Sequence, residues 1–340
     1  MKQDWFLRLA LLASALALIV VVLGAFVRLS DAGLGCPDWP GCYGHIDVPK
    51  TDAEVQLANS VYPERPVEAH KAWKEMIHRY FAGTLGMLVF VLAILAIRNR
   101  RSAKQQIFVP IFLVLLIIFQ ALLGMWTVTI KLNPTIVMSH LMGGLATLSL
   151  LWWVSLRQGG LFVQRLPDTD SYSRLRRMAL IGLLIVILQI MLGGWTSANY
   201  AALHCPDFPT CQGEWIPSLD FSEAFTFWHG TEHNFEGGIL DNDARVTIHF
   251  IHRIMALVTF MYLGVLAVSL LFYHRYRPLR KFGVALSIVL IAQVALGISN
   301  VLFALPLLVA VGHNAGAALL LLTMVTLNHV IRAGGEYGYA

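Results

Sequence analysis

The chain has 340 residues, of which 57% are hydrophobic and 13% charged, and its mean hydropathy is +0.66. This balance excludes an ordinary soluble globular domain, in which about 25% of residues are charged. The net charge of +5 and the pI near 9.1 come without a basic, aromatic-interleaved soluble segment, which excludes nucleic acid as a partner and leaves membrane lipid as the expected surroundings.

Eight apolar runs are long enough to cross a bilayer as helices, which takes about 20 mostly apolar residues each. For the first run a cleaved signal peptide is the alternative, but its apolar stretch exceeds the usual signal core of about 7–15 residues, which favours a retained helix. The predicted fold class is therefore an all-α integral membrane protein. We place its eight transmembrane helices at 7–27, 79–97, 107–130, 135–156, 178–198, 247–273, 281–303 and 306–331.

Positive charge predicts the orientation of these spans. Arginine and lysine concentrate in the short loops after the second, fourth and sixth spans, which the positive-inside rule assigns to the cytoplasm. Both termini are then cytoplasmic, and the protein is expected to be a multi-pass protein of a bacterial inner membrane. The charges concerned are Arg98, Arg100, Arg101, Lys104, Arg157, Arg165, Arg174, Arg176, Arg177, Arg275, Arg277, Arg280 and Lys281.

Two motifs occur twice. The nine residues Cys36-Pro-Asp-Trp-Pro-Gly-Cys-Tyr-Gly44 return as Cys205-Pro-Asp-Phe-Pro-Thr-Cys-Gln-Gly213, and Gln120-Ala-Leu-Leu-Gly124 returns as Gln293-Val-Ala-Leu-Gly297. Because four spans separate equivalent positions, the two copies have the same orientation in the membrane. The sequence therefore predicts two tandem four-helix bundles related by an internal repeat, over residues 1–160 and 175–340.

All four cysteines fall in loops predicted to lie outside, where an oxidising environment favours disulfides. We expect the pairs Cys36–Cys42 and Cys205–Cys211. Each bond could simply close a short loop, or could serve a redox role in passing electrons or gating a ligand, and both interpretations stay open. A zinc site is disfavoured, because structural zinc sites usually present closely spaced cysteine pairs.

The repeat also aligns four histidines, two in each half. His78 corresponds to His252 and His140 to His313, and each lies about 26–34 Å along its helix from the cytoplasmic charges. A lone intramembrane histidine is more often an interhelical hydrogen-bond partner, but four that are related by a repeat favour paired axial ligands of haem iron. Small residues that leave room for a macrocycle, or that simply allow close helix packing, are Gly83, Gly86, Gly143, Gly144, Ala315 and Gly316.

Charged neighbours distinguish the halves. Glu75 precedes His78 by one helical turn, whereas the residue equivalent to Glu75 in the second half is His249. A carboxyl group beside haem can act as a base, orient water or stabilise positive charge, although an interaction with the helix dipole is the simpler alternative. Arg79 and Arg253 are candidates to pair with haem propionates, with interfacial anchoring as the alternative.

Together these segments resemble the haem A synthase family of the CtaA type over essentially the whole chain. The resemblance implies an enzyme that oxidises the ring-D methyl group of haem O to the formyl group of haem A for terminal haem–copper oxidases. It implies a substrate haem between His78 and His140, with Glu75 as the catalytic carboxylate, and a haem b cofactor whose iron is held by His252 and His313. Haem O synthase and the oxidase assembly machinery are the implied partners, and the oligomeric state is left open.

Two alternatives from other functional classes use the same residues. A di-haem electron-transfer cytochrome b would hold both haems between paired histidines without altering either. A haem carrier or assembly chaperone would bind haem without chemistry. The identity of the haem recovered from the protein distinguishes the three.

Overall fold

The computed structural model describes residues 2–101, 105–160, 170–272 and 277–332, and regular structure within them is helical. Eight of the helices are long and apolar enough to cross a membrane, which confirms the eight predicted spans. The predicted loop charges Lys104, Arg165 and Arg275 lie outside the described residues. The helices are α1 Lys2–Leu29, α2 Asp52–Val61, α3 Ala69–Arg98, α4 Phe108–Thr129, α5 Pro134–Gly159, α6 Asp170–Ala198, α7 Phe221–Ala224, α8 Asn242–Leu271, α9 Arg277–Leu302 and α10 Leu307–Arg332.

Helices α3 and α8 extend further outward than hydropathy predicted. Helix α3 begins at Ala69 rather than at residue 79, and α8 begins at Asn242 rather than at residue 247. Hydropathy detects only the part of a helix that lies in hydrocarbon, whereas backbone hydrogen bonding continues through polar turns beyond it. As a consequence Glu75 is a helical residue one turn from His78. The short outer helices α2 and α7 were not predicted.

The transmembrane helices form two rings of four. In the first ring α1 packs against α3 and α5, and α4 packs between α3 and α5; in the second α6 packs against α8 and α10, with α9 between them. The two rings therefore have the same order of neighbours. They meet where α1 contacts α10, α5 contacts α6, and α5 contacts α10.

Both cysteine pairs are disulfide-bonded, and their loops share one hydrogen-bond pattern. The Asp38 carboxylate accepts the backbone N–H groups of Tyr43 and Gly44, each at 2.7 Å, and Asp207 accepts those of the two corresponding residues of the second loop. The Thr210 hydroxyl and these N–H groups hold the pKa of Asp207 below its ordinary value. The repeated Cys-Pro-Asp motif thus specifies the same hydrogen-bonded loop in each half.

The long connection between α6 and α8 lies over the first half. Arg65 forms an ion pair with Glu236 at 2.6 Å, and the N–H of Phe235 donates to the carbonyl oxygen of Lys131 at 3.1 Å. The Asn133 amide also donates to the carbonyl oxygen of Gly230. The outer surface of the first ring is therefore built partly from residues of the second half.

Candidate functional site

A partly open cavity of about 910 Å³ lies in the first ring, and Gly194, Ser197 and Asn314 of the second half also line it. This volume lies toward the upper end of the range for small-molecule and cofactor sites, which is about 300–1,000 Å³. Helices α1, α3, α4 and α5 contribute to its wall, and the Cys36–Cys42 loop covers its outer end. Its wall is mainly apolar and includes His78 and His140, so the structure brings together the two histidines predicted as substrate ligands.

Each of the four predicted haem ligands lies against a glycine of a neighbouring helix. A Cβ atom on any of these glycines would lie 3.1–3.5 Å from the Cε1 atom of the imidazole, which is closer than ordinary packing allows for three of them. Glycine therefore lets each ring approach the neighbouring backbone. The four pairs are Gly24 with His78, Gly124 with His140, Gly193 with His252, and Gly297 with His313.

The ring nitrogens test whether these histidines serve only as interhelical hydrogen-bond partners. The Nδ1 atoms of His78, His140 and His313 are buried and have no hydrogen-bond partner. Buried polar atoms of this kind are rare in folded proteins and call for a further explanation, such as a bound group. A large apolar cavity, two imidazoles and closely packed backbone fit a haem macrocycle in the first ring, and the second ring offers the same pair of imidazoles.

Glutamines accompany the histidines and were not singled out as site residues. The Nε2 atom of Gln189 lies 3.1 Å from Nδ1 of His252, and that of Gln293 lies 3.4 Å from Nε2 of His313. Gln120 lines the first cavity and packs against Gly143. The Gln-x-x-Leu-Gly motif contains Gln120 and Gln293, and Gln189-Ile-Met-Leu-Gly193 matches it as well, so the sequence held a signal for all three.

The small residues predicted to leave room for a macrocycle divide into two groups. Gly83 and Gly86 line the first cavity and face open space. Gly143 and Gly316 instead pack tightly against glutamine side chains. The positions equivalent to Gly83 and Gly86 in the second half carry the bulkier Leu257 and Phe260, whose side chains are exposed.

Glu75 joins α3 to the loop that covers the cavity. Its side chain is buried, its Oε2 atom accepts the backbone N–H of Cys36 at 3.0 Å, and its Oε1 atom lies 2.5 Å from the guanidinium of Arg79. Arg79 also donates to the carbonyl oxygens of Asp38, Pro40 and Gly41. Glu75 and Arg79 both line the cavity, so the carboxylate combines a structural role with access to the cavity.

His249 occupies the equivalent position in the second half. The backbone N–H of Cys205 points to its Nδ1 atom at 3.3 Å, and Arg253 points to its Nε2 atom at 3.2 Å. Arg253 also donates to the carbonyl oxygens of Cys205, Asp207 and Thr210, as Arg79 does in the first loop. A neutral imidazole offers one acceptor whereas a carboxylate accepts both contacts, so the halves differ in charge at a shared structural position.

Arg79 and Arg253, the predicted propionate partners, therefore donate hydrogen bonds to loop carbonyl oxygens. A different cation, Arg28 of α1, lines the first cavity and had no assigned role in the sequence. Its burial and contacts follow from the packing of α1 against the second half, which a sequence pattern does not reveal.

Comparison with known proteins agrees with the whole-chain resemblance. A family model described as COX15-CtaA, cytochrome oxidase assembly protein, matches residues 7–325. A protein of Shewanella oneidensis named heme A synthase is 49% identical over 332 residues, which cover 97% of each chain. Proteins with the same name from Halalkalibacterium halodurans and Granulibacter bethesdensis are 29% identical, over 90% of each chain, and 26% identical, over 94% of this chain and 85% of the other.

Proposed function

The chain belongs to the COX15-CtaA family of cytochrome oxidase assembly proteins, and we propose that it is a haem A synthase. The proposed reaction is oxidation of the ring-D methyl group of haem O to the formyl group of haem A. The observation that carries the proposal is the large apolar cavity of the first ring, lined by two histidines on different helices. A relative named heme A synthase that covers nearly the whole chain supports the same activity.

The substrate haem is proposed to bind in the first-ring cavity between His78 and His140. Their imidazoles would hold the iron of the substrate, and that iron supplies the oxidising chemistry once haem is bound. The apolar wall would keep bulk water from the macrocycle. Gly24 and Gly124 let the imidazoles of His78 and His140 lie close to the neighbouring helix backbones. Gly83 and Gly86 provide open space in the same cavity, as a substrate that must be exchanged requires.

Haem b is proposed to be the resident cofactor of the second ring, with His252 and His313 as ligands. The Nε2 atom of Gln189 lies 3.1 Å from Nδ1 of His252, and this contact ties the imidazole of α8 to helix α6. The second ring would then pass the electrons removed from the methyl group to an external electron acceptor.

Glu75 is proposed to act on the substrate as well as to hold the loop. Its carboxylate lines the cavity one turn from His78, in a position to orient water or stabilise positive charge that develops on the substrate. Arg79 keeps this carboxylate in place through their ion pair. His249 provides loop anchoring in the second half without a carboxylate, so the charge of Glu75 is what the reaction would use.

The cellular setting is proposed from the charge pattern and from the bacterial relatives. Both termini would lie in the cytoplasm, with the disulfide loops on the outer face of a bacterial inner membrane. Haem O synthase would supply the substrate, and the assembly machinery of haem–copper oxidases would receive the product.

The activity is tested by expressing the protein in cells that make haem O but no haem A, and by extracting and identifying the haems. We expect haem A, with the corresponding alcohol as a lesser product. A His78→Ala, His140→Ala double variant, made to the same level, is the control and should yield neither. Recovery of only unmodified haem with the wild-type protein would indicate an electron-transfer cytochrome or a carrier instead.

A further inference from the structure

Arg28 lies on the α1 wall of the first-ring cavity, where its guanidinium is held by the second half. One terminal nitrogen donates to the carbonyl oxygen of Ser197 at 2.6 Å, and the guanidinium carbon lies 3.9 Å from the centre of the Tyr200 ring. A guanidinium stacked on an aromatic ring and hydrogen-bonded at one end loses little further freedom when it binds an anion. The side chain is therefore fixed before any ligand arrives.

Part of this guanidinium has no partner in the protein. The Nε atom of Arg28 is buried and makes no hydrogen bond, although the residue lines the cavity. Arg79, the other arginine of this wall, donates to Glu75 and to three loop carbonyl oxygens. Arg28 is thus the cavity cation that retains an unused buried donor.

The acidic side chains of the same cavity do not supply that missing partner. Glu75 is bound to Arg79 and to the backbone of Cys36, and Asp38 accepts two backbone N–H groups of its own loop. An anionic group that enters the cavity would therefore meet Arg28 without displacing an existing ion pair.

The position of Arg28 is specific to the first half. In the repeat that aligns Gly24 with Gly193, Arg28 aligns with Ser197, so the second half has no arginine there. Arg28 and Ser197 contact each other although they are equivalent positions of the two halves. Arg28 also lies one helical turn, about 6 Å, beyond Gly24, the glycine that packs against His78, in the direction of the outer loop.

We propose that Arg28 binds a propionate carboxylate of the substrate haem. The inference rests on the proposed function and deepens it, because haem O carries one of its two propionates on ring D, beside the methyl group that is oxidised. Glu75 lies one turn before His78 on α3, so it and Arg28 lie on the same side of the contact between Gly24 and His78. A guanidinium that holds the ring-D carboxylate there would place the adjacent methyl group toward Glu75. Arg28 is then a positioning residue for the site of oxidation, and the apolar tail of haem O is directed toward the membrane interior.

The test compares binding of haem O with binding of its dimethyl ester, in which both carboxylates are neutral. Affinities are measured by optical titration of purified protein that retains its second-half haem, for wild type, Arg28→Gln and Arg28→Lys. We expect wild type to prefer the free acid by roughly tenfold to a hundredfold, the range for a hydrogen bond to a charged group. Arg28→Gln should lose most of this preference and Arg28→Lys should keep part of it.

The ratio of the two affinities separates anion binding from a structural role. If Arg28→Gln weakens acid and ester equally, Arg28 only joins the two halves and the proposal is overturned. Equal affinity of wild type for acid and ester would overturn it as well, and this outcome needs no variant to fold. Failure of wild type to bind either form would instead refute the proposed substrate site. Lys74→Gln, which removes a cation of α3 that does not line the cavity, is the matched control and should keep the full preference for the acid.

Discussion

Glu75 and His249 occupy equivalent positions beneath the two disulfide loops, and each faces the backbone N–H of the first cysteine of its loop. The following arginine, one turn later, contacts each of them and the loop carbonyl oxygens. In the sequence the carboxylate of Glu75 had no counterpart in the second half. The structure shows that His249 makes the same contacts there, so the halves differ in charge at this position and not in geometry. This relationship defines how the role of Glu75 can be tested.

Glu75→His should separate loop anchoring from chemistry. The imidazole is the group that the second half uses at this position, so we expect the variant to fold and to bind both haems. Loss of the carboxylate should lower haem A formation by roughly 10²–10⁴-fold. Haem A formation is measured by extracting haem from membranes at matched protein levels, and wild-type rates would refute a catalytic role.

Glu75→Gln tests the same role less selectively than Glu75→His, because it disturbs loop anchoring as well as removing the charge. Both carboxylate oxygens accept hydrogen bonds, and an amide would direct its NH₂ group at one of the two donors. We expect it to lose turnover and also to lower the unfolding temperature more than Glu75→His does. The converse change His249→Glu offers both donors an acceptor and should leave haem b bound.

Haem b should depend on His252 and His313 and on neither histidine of the first half. Alanine offers no nitrogen ligand, so His252→Ala or His313→Ala should abolish the low-spin haem b spectrum of the purified protein. His70→Ala, which changes an exposed histidine at the outer end of α3, is the control. An unchanged spectrum in either ligand variant would remove that residue from the site.

Gly86→Phe should close the first cavity with the residue that the second half carries at the equivalent position. Gly86 faces open space and lines the cavity, so a phenylalanine there competes for volume with the substrate. We expect loss of haem O binding with haem b retained, measured by haem extraction. Gly264→Phe is the matched control, because Gly264 also faces open space on a spanning helix but does not line the first cavity. Equal binding of haem O by both variants would argue against this cavity as the substrate site.

The four cysteines should be unreactive to thiol reagents until the protein is reduced, since both pairs are bonded in the structure. Replacing Cys36 and Cys42 by serine should cost about 2 kcal/mol of stability, the low end for a short loop. Because Asp38, Glu75 and Arg79 also hold this loop, we expect haem A formation to continue. Abolition of activity at unchanged stability would instead favour a redox role.

The sequence was sufficient to predict the spans and the disulfide pairs, because hydropathy and a repeated motif are properties of the chain itself. It also singled out four histidines, of which the structure brings His78 and His140 to one cavity. Contacts between distant residues were beyond it: nothing in the pattern brings the Cys36 backbone to Glu75, or Arg28 to Ser197. The glycines at 24 and 193 appear in aligned positions, yet their role depends on which helix packs against which. Hydropathy also missed the polar outer turns of α3, where Glu75 lies.

The central claim is that the first half holds the substrate haem and the second half holds haem b. It is tested most directly by measuring haem b and haem O plus haem A per chain in purified wild type, His140→Ala and His313→Ala, each made with a supply of haem O. We predict that His140→Ala loses haem O and haem A but keeps haem b, and that His313→Ala loses haem b. Loss of haem b in His140→Ala with haem O and haem A retained would contradict the assignment of the two halves.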